Sequence, residues 1–184
     1  MAFVPEHIFR EYDIRGIADT ELTDEFVMSV GYAFGTWLLA RGVRKATLGG
    51  DVRLSTTRIK AAAAAGMMKA GISVTDIGFV STPTFYWSMY HLGADGGLMV
   101  TGSHNPKEFN GLKVAYDKAT LWGDDIREIM RIIKEDRMVT ADDPGSLRFA
   151  GINEEYLDML VSKIKLGPRK PKIVCDSGNG TAGI

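Results

Sequence analysis

Short and long apolar segments alternate along residues 45–101, and this alternation restricts the possible folds more than any other feature. Residues 45–51, 72–77 and 97–101 have the length and composition of buried strands, and helical patterns fill the intervals between them. A strand-helix-strand-helix-strand order is typical of βαβ units, in which helices cover both faces of a sheet. We therefore predict an α/β fold, a three-layer sandwich with a mainly parallel mixed sheet.

Capping residues and glycines punctuate the predicted helices. Thr23, followed by two acidic residues, predicts the start of a helix that Gly42 ends. Gly31 and Gly35 would weaken this helix in isolation, so we expect them to mark a close approach to a neighbouring element. Ser55 is expected to cap the next helix.

The chain divides into a first domain, residues 1–150, and a shorter second part, residues 151–184. The second part is predicted to hold a linker helix and a strand at residues 172–176, followed by a glycine-rich turn. A βα unit that stops after its strand cannot cover both faces, so we interpret the chain as part of a longer protein with a truncated second domain. Residues from about 168 onward are then expected to be disordered or to pair with another chain.

Charge and cysteine content exclude several classes of function. With 22 basic and 23 acidic residues the net charge is -1, so we expect no attraction to nucleic acid or to an anionic membrane. The single cysteine, Cys175, excludes an internal disulfide and a cysteine-rich zinc site. The N-terminus shows no basic segment followed by an apolar core, which favours a cytoplasmic location.

A polar loop follows the third predicted strand. It carries Ser103, His104 and Asn105, and Lys113 lies on the strand after it. In open α/β sheets, ligands bind outside the carboxyl ends of the strands, and Ser103 lies two residues past such an end. The loop is therefore the candidate site.

Three kinds of chemistry can use a serine in this setting. A serine hydrolase usually shows Gly-x-Ser-x-Gly, but here the residue two positions after Ser103 is Asn105. A phosphate-binding loop of the nucleotide-hydrolase type needs a P-loop sequence, which does not occur in the chain. A serine that carries a phosphoryl group needs cations around it, which Lys113 and Arg15 can supply. A phospho-sugar binding module without catalysis and a serine hydrolase both stay open as alternatives.

The loop resembles the phosphoserine loop of the α-D-phosphohexomutases, the phosphoglucomutase/phosphomannomutase group. The resemblance rests on Thr-Gly-Ser-His-Asn-Pro at 101–106 and Asn-Gly-Leu-Lys at 110–113. Residues 9–16, 49–55 and 174–180 resemble three further family signatures, in the family's order. The second signature usually reads Gly-Arg-Asp, and this chain has Gly50 in the place of the arginine.

The resemblance implies a four-domain isomerase, with domain I and the first strand of domain II in this chain. The implied reaction moves a phosphoryl group between O1 and O6 of a glucose or mannose phosphate, with hexose 1,6-bisphosphate as intermediate or activator. By carry-over, Ser103 is the phosphoryl carrier, Arg15 and Lys113 neutralise the transferring group, and His104 and Lys113 are candidates for proton transfer.

The resemblance also implies substrate and metal contacts. Tyr12, Asn105 and Arg53 are assigned to substrate binding, although an ion pair with Asp51 is the structural alternative for Arg53. The phosphoryl group on Ser103 would bind Mg²⁺, with the remaining ligands from a domain outside this chain. We therefore expect this chain alone to lack mutase activity and to bind Mg²⁺ weakly at most.

Overall fold

The computed structural model describes residues 4–183, which contain seven strands and five α-helices. The strands are β1 (Ile14–Ile17), β2 (Lys45–Gly50), β3 (Ser73–Phe79), β4 (Gly96–Val100), β5 (Phe109–Tyr116), β6 (Ala119–Thr120) and β7 (Leu147–Phe149). The helices are α1 (Asp24–Leu39), α2 (Thr56–Lys69), α3 (Thr82–His91), α4 (Asp124–Lys134) and α5 (Asn153–Lys163). Short 3₁₀ turns lie at Glu6–Ile8 and Thr181–Gly183.

The strands form one mixed sheet with the order β1-β5-β4-β2-β3-β7, and β6 pairs with β5. β2 pairs in parallel with β3 and β4, and β7 is parallel to β3. β5 is antiparallel to β1, β4 and β6. The sheet thus has a parallel half and an antiparallel half, which meet at β4.

Two hydrophobic cores lie on opposite faces of this sheet. Leu98 of β4 belongs to the core beneath α1, α2 and α4, whereas the next residue, Met99, belongs to the core beneath α3. Successive side chains of a strand point to opposite faces, so each strand contributes to both cores. Ile152, just before α5, joins the second core, and the Tyr156 ring lies 5.5 Å from that of Trp87. The predicted three-layer α/β sandwich is confirmed.

The α1–α2 contact requires glycine. Thr23 caps α1 as predicted, accepting a hydrogen bond from the backbone N–H of Phe26 at 3.3 Å. A Cβ atom on Gly31 would lie 2.3 Å from the carbonyl oxygen of Ala63, and one on Gly35 would lie 2.6 Å from the Cβ of Ala70. The backbones of α1 and α2 therefore touch, which confirms the expected close approach.

Two local predictions differ from the structure. Ser55 occupies the N-cap position of α2 as predicted, but its backbone is helical and its side chain makes no capping hydrogen bond; its Oγ instead accepts a hydrogen bond from the Asn110 amide at 2.9 Å. Residues 172–176 form no strand within the described part of the chain, where they are exposed. A strand needs a neighbour for its backbone N–H and C=O groups, and none lies beside this segment in residues 4–183. The domain boundary near residue 150 stays a prediction.

Candidate functional site

The loop between β4 and β5 borders a cleft of about 820 Å³ at the carboxyl ends of β2 and β4. Its lining comes from the segment after β1, the segment after β2, α2, the loop itself and residues 179–181. This volume falls in the range of small-molecule sites, about 300–1,000 Å³. The cleft is thus large enough for a sugar phosphate.

Ser103 is exposed and holds an uncommon backbone conformation. Its φ angle is 55°, in the left-handed region that costs a non-glycine residue about 1 kcal/mol. Its backbone N–H donates to the Oγ1 of Thr101 at 2.9 Å, and its Oγ lies 3.2 Å from Nδ1 of His104. The loop therefore presents a hydroxyl beside an imidazole at the end of a parallel strand.

The Arg53 guanidinium gathers the carbonyl oxygens of this loop. Its Nη1 donates to the carbonyl oxygens of Pro106 at 2.6 Å and Phe109 at 2.9 Å. Its Nη2 donates to the carbonyl oxygens of Asn105 at 2.6 Å and Ser103 at 3.0 Å. One side chain from the β2–α2 connection thus binds four backbone groups that are about fifty residues away in sequence.

The Asp51 carboxylate joins the same loop to the end of β2. Its Oδ1 accepts hydrogen bonds from the Arg53 backbone N–H at 3.1 Å and the Thr56 hydroxyl at 2.7 Å. Its Oδ2 accepts one from the backbone N–H of Gly102 at 3.1 Å and lies 3.3 Å from Nε of Arg53. The ion pair considered for Arg53 at the sequence level is therefore present.

Asn110 is a structural member of the site that the sequence did not reveal. It is fully buried, and its amide donates to Ser55 Oγ at 2.9 Å and to Thr56 Oγ1 at 3.2 Å. Its Oδ1 accepts the backbone N–H of Gly111 at 2.9 Å. The two hydroxyl partners lie more than fifty residues away in the chain, so no local pattern indicated them.

A second group of charged side chains comes from β1, the residue before it and β5. The Asp13 carboxylate contacts the Arg15 guanidinium and lies 3.7 Å from Nζ of Lys113. The Arg15 Nε is buried and has no hydrogen-bond partner among the described residues. Asp13 was not predicted, although its alternating spacing with Arg15 was a usable signal for a shared face.

The strand register relates this charged group to the Ser103 loop. Arg15 pairs with Gly111, and Lys113 pairs with Met99, two residues before Thr101. Alternation places the side chains of Arg15, Lys113 and Thr101 on one face of the sheet. Two strand spacings, about 10 Å, separate the backbones at Arg15 and Thr101. The two groups thus share a face without direct contact.

The cleft brings together three of the seven predicted site residues, namely Arg53, Ser103 and Asn105. Its lining within residues 4–183 does not include Tyr12, Arg15, His104 or Lys113. Tyr12 is 62% exposed at the start of the segment that leads to β1, so its side chain is free to contact a ligand.

Gly50, the departure from the family signature, lies beneath α2. A Cβ atom there would lie 2.4 Å from Cγ2 of Thr56 and 2.9 Å from Cδ of Lys60. The Lys60 ammonium in turn donates to Asp76 Oδ1 at 2.5 Å and is nearly buried. An arginine at position 50 would displace the side chains of Thr56 and Lys60, so in this chain the glycine lets α2 pack closely on the end of β2.

Metal-binding clusters and membrane-spanning helices are both absent from residues 4–183. Residues 4–183 contain no group of three or more His, Cys, Asp or Glu side chains placed to hold a metal ion. In the same range, none of the helices combines the length and the apolar character needed to cross a bilayer.

Comparison with known proteins identifies the family. Residues 6–140 match the model of phosphoglucomutase/phosphomannomutase, alpha/beta/alpha domain I. The chain is 37% identical to a phosphoglucomutase of Neisseria gonorrhoeae over 183 residues, and 40% identical to a phosphomannomutase of Escherichia coli over 181 residues. These alignments cover 100% and 95% of this chain but only 40% and 39% of the relatives.

A solved structure agrees with this result. The crystal structure of a phosphoglucomutase/phosphomannomutase family protein from Burkholderia thailandensis aligns with a TM-score of 0.84 at 33% identity. The alignment covers 89% of this chain and 37% of that one. The predicted resemblance is confirmed: the chain belongs to the phosphoglucomutase/phosphomannomutase family, and residues 6–140 form its α/β/α domain I.

Proposed function

We propose that this chain supplies the phosphoserine-bearing domain of a phosphohexomutase that acts on glucose or mannose phosphates. The observation that carries the proposal is the exposed Ser103 hydroxyl, 3.2 Å from an imidazole at the carboxyl end of β4. The names of the similar proteins, phosphoglucomutase and phosphomannomutase, support this class of reaction. A transferase of this kind is an isomerase overall, because the sugar leaves with one phosphoryl group, as it entered, but on a different oxygen.

The proposed cycle begins with a phosphoryl group on Oγ of Ser103. A sugar hydroxyl attacks the phosphorus, the bond from phosphorus to Oγ breaks, and hexose 1,6-bisphosphate forms. The proton of the attacking hydroxyl passes to a base and Oγ takes up a proton, for which His104 is placed at 3.2 Å. After the sugar turns round, Oγ attacks its other phosphorus, the bond from that phosphorus to the sugar oxygen breaks and the sugar oxygen takes up a proton, so Oγ carries a phosphoryl group again and no phosphate is gained or lost.

Arg15 and Lys113 are proposed to neutralise the charge that develops during the transfer. They lie on the same sheet face as Thr101, whose hydroxyl binds the backbone of Ser103. The Nε–H of Arg15 is buried without a partner within residues 4–183, so the Nη groups of Arg15 are the proposed donors for a phosphoryl oxygen. Lys113 is also a candidate for proton transfer, and Tyr12 and Asn105 are proposed to contact the sugar phosphate.

Magnesium binding is proposed for the complete enzyme only. The described residues hold no cluster of metal-binding side chains, so this chain would contribute only the phosphoryl oxygens carried by Ser103. When bound, Mg²⁺ would neutralise charge on the transferring group. Since the chain spans about 40% of the length of its relatives, we propose that the chain alone is inactive and that further domains complete the site.

The structure gives less support to a hydrolase. A Ser-His pair needs a carboxylate that orients the imidazole, and within residues 4–183 the only side-chain hydrogen bond of His104 goes to Ser103. A non-catalytic phospho-sugar binding module has the same pocket and differs only in never being phosphorylated.

Intact mass spectrometry of the protein purified from cells tests the proposal. We expect a fraction of molecules with one added phosphoryl group, mapped by fragmentation to Ser103 and absent from Ser103→Ala. If the complete protein, with the further domains, lacks this group even after incubation with glucose 1,6-bisphosphate and Mg²⁺, the binding module is favoured. Labelling of Ser103 by a fluorophosphonate would instead identify a hydrolase. Turnover of glucose 1-phosphate by the chain alone would contradict the proposed inactivity.

A further inference from the structure

The geometry points to a positioning role for Arg53, and we propose that it holds the Ser103 loop in place and does not bind substrate. This inference deepens the proposed function and rests on it for its significance. It replaces the substrate contact that the family resemblance implied for this residue.

The first argument is the use of the Arg53 donors. A guanidinium has five N–H groups and no acceptor. Four of them point at the carbonyl oxygens of residues 103, 105, 106 and 109, at 2.6–3.0 Å. The fifth, on Nε, faces Asp51 Oδ2 at 3.3 Å. Four of the five donors are therefore hydrogen-bonded and the fifth lies within an ion pair, so a phosphate would have to displace an existing contact.

The second argument is the packing of the loop on the guanidinium. A Cβ atom on Gly102 would lie 2.4 Å from both Cζ and Nε of Arg53. Because Gly102 has no side chain, its backbone can lie directly against the guanidinium. The Gly102 N–H donates to Asp51, and the carbonyl oxygen of the next residue, Ser103, accepts from Arg53, so both charged side chains hold this part of the loop.

The third argument concerns the charge on the carrier. Phosphorylation would add a charge of about -1.5 to -2 at Ser103. The Arg53 bonds turn the negative ends of four peptide dipoles towards the guanidinium, whereas the Ser103 side chain is exposed. Without Arg53, these carbonyl oxygens would be free to turn towards the phosphoryl group and repel it. Arg53 thus prepares the loop for a dianion that it does not itself touch.

Arg58 provides a matched control. It lies in the same cleft, but its guanidinium donates to the carbonyl oxygens of Ala18 and Leu22 and to Asp24, away from the loop. Arg58→Lys and Arg53→Lys make the same chemical change, and only the second removes loop contacts. An ammonium has three donors on one atom, so the lysine of Arg53→Lys cannot bridge four carbonyl oxygens.

Amide hydrogen exchange of this chain, followed by NMR, tests the role. In Arg53→Lys we expect two hydrogen-bonded amides, that of Asn105 in the loop and that of Phe109 where the loop joins β5, to exchange at least about tenfold faster than in the wild type. The amides of β2 and β4 should keep their rates, and Arg58→Lys should leave the loop unchanged. A purely global loss of stability would accelerate sheet and loop amides together and would overturn the inference, as would unchanged loop rates.

A second measurement needs no variant. In the wild-type chain, the Nε–H of Arg53 should exchange with water more slowly than that of the exposed Arg169. Equal rates would show a free donor and would contradict the proposal. Neither experiment depends on phosphorylation of Ser103, so a failure here is separate from a failure of the proposed mutase function.

Discussion

Asp51→Asn tests how strongly the end of β2 holds the Ser103 loop. The carboxylate is 11% exposed, accepts three hydrogen bonds and forms an ion pair with Arg53, with two contacts on each oxygen. Asparagine keeps one oxygen, which can still accept from Thr56 and the Arg53 backbone. Its NH₂ group would then face the Gly102 N–H, which loses its hydrogen-bond acceptor, and the Arg53 Nε–H, which loses its ion-pair partner. At about 1.5 kcal/mol for each unpaired donor, we expect a loss of about 3 kcal/mol.

Urea unfolding of the wild type and Asp51→Asn, monitored by tryptophan fluorescence and far-UV circular dichroism, measures this loss. Asp19→Asn is the control, because Asp19 lines the same cleft but is 91% exposed, and we expect a change below about 0.5 kcal/mol. If Asp51→Asn is as stable as the control, the hydrogen bonds and the ion pair of Asp51 do not hold the loop and the reasoning is refuted.

Two further predictions concern packing and pH. Gly31→Ala should destabilise the chain by about 2 kcal/mol in urea unfolding, since the clash with Ala63 outweighs the gain in helix propensity, whereas Gly151→Ala should be near neutral. The Ile17 N–H, with smaller help from His7, holds the pKa of Glu21 below its ordinary value of 4.5. Glu21→Gln should therefore cost about 1 kcal/mol at pH 7, a difference that shrinks as the pH falls through the lowered pKa. Thermal unfolding at pH 7 and pH 3 checks this, and a pH-independent difference would contradict it.

The sequence predicted those parts of the fold that depend on local patterns. The cap at Thr23, the close approach at Gly31 and the alternation of strands and helices required only neighbouring residues. The sequence-based prediction failed where a contact with a residue far away in the chain determines the structure. Serine is a typical helix-capping residue, but the hydroxyl of Ser55 accepts a hydrogen bond from the Asn110 amide and makes no capping hydrogen bond. β7 has three exposed residues, and only its pairing with β3 makes it a strand.

The same distinction applies to the site. The Ser103 loop was visible as a polar segment after a predicted strand, and its position beyond β4 agrees with that interpretation. The four loop carbonyl oxygens bound by Arg53 have no sequence signal, since every residue has one. Asp13 had only a weak signal, its alternation with Arg15, because acidic residues near basic ones are common on protein surfaces.

The left-handed backbone of Ser103 restricts which alcohol can occupy the position. Threonine carries the same hydroxyl group, but its branched Cβ makes a positive φ angle costly, whereas serine tolerates it. Side-chain chemistry alone would permit either residue as a phosphoryl carrier. The loop thus favours serine over threonine through the shape of its main chain.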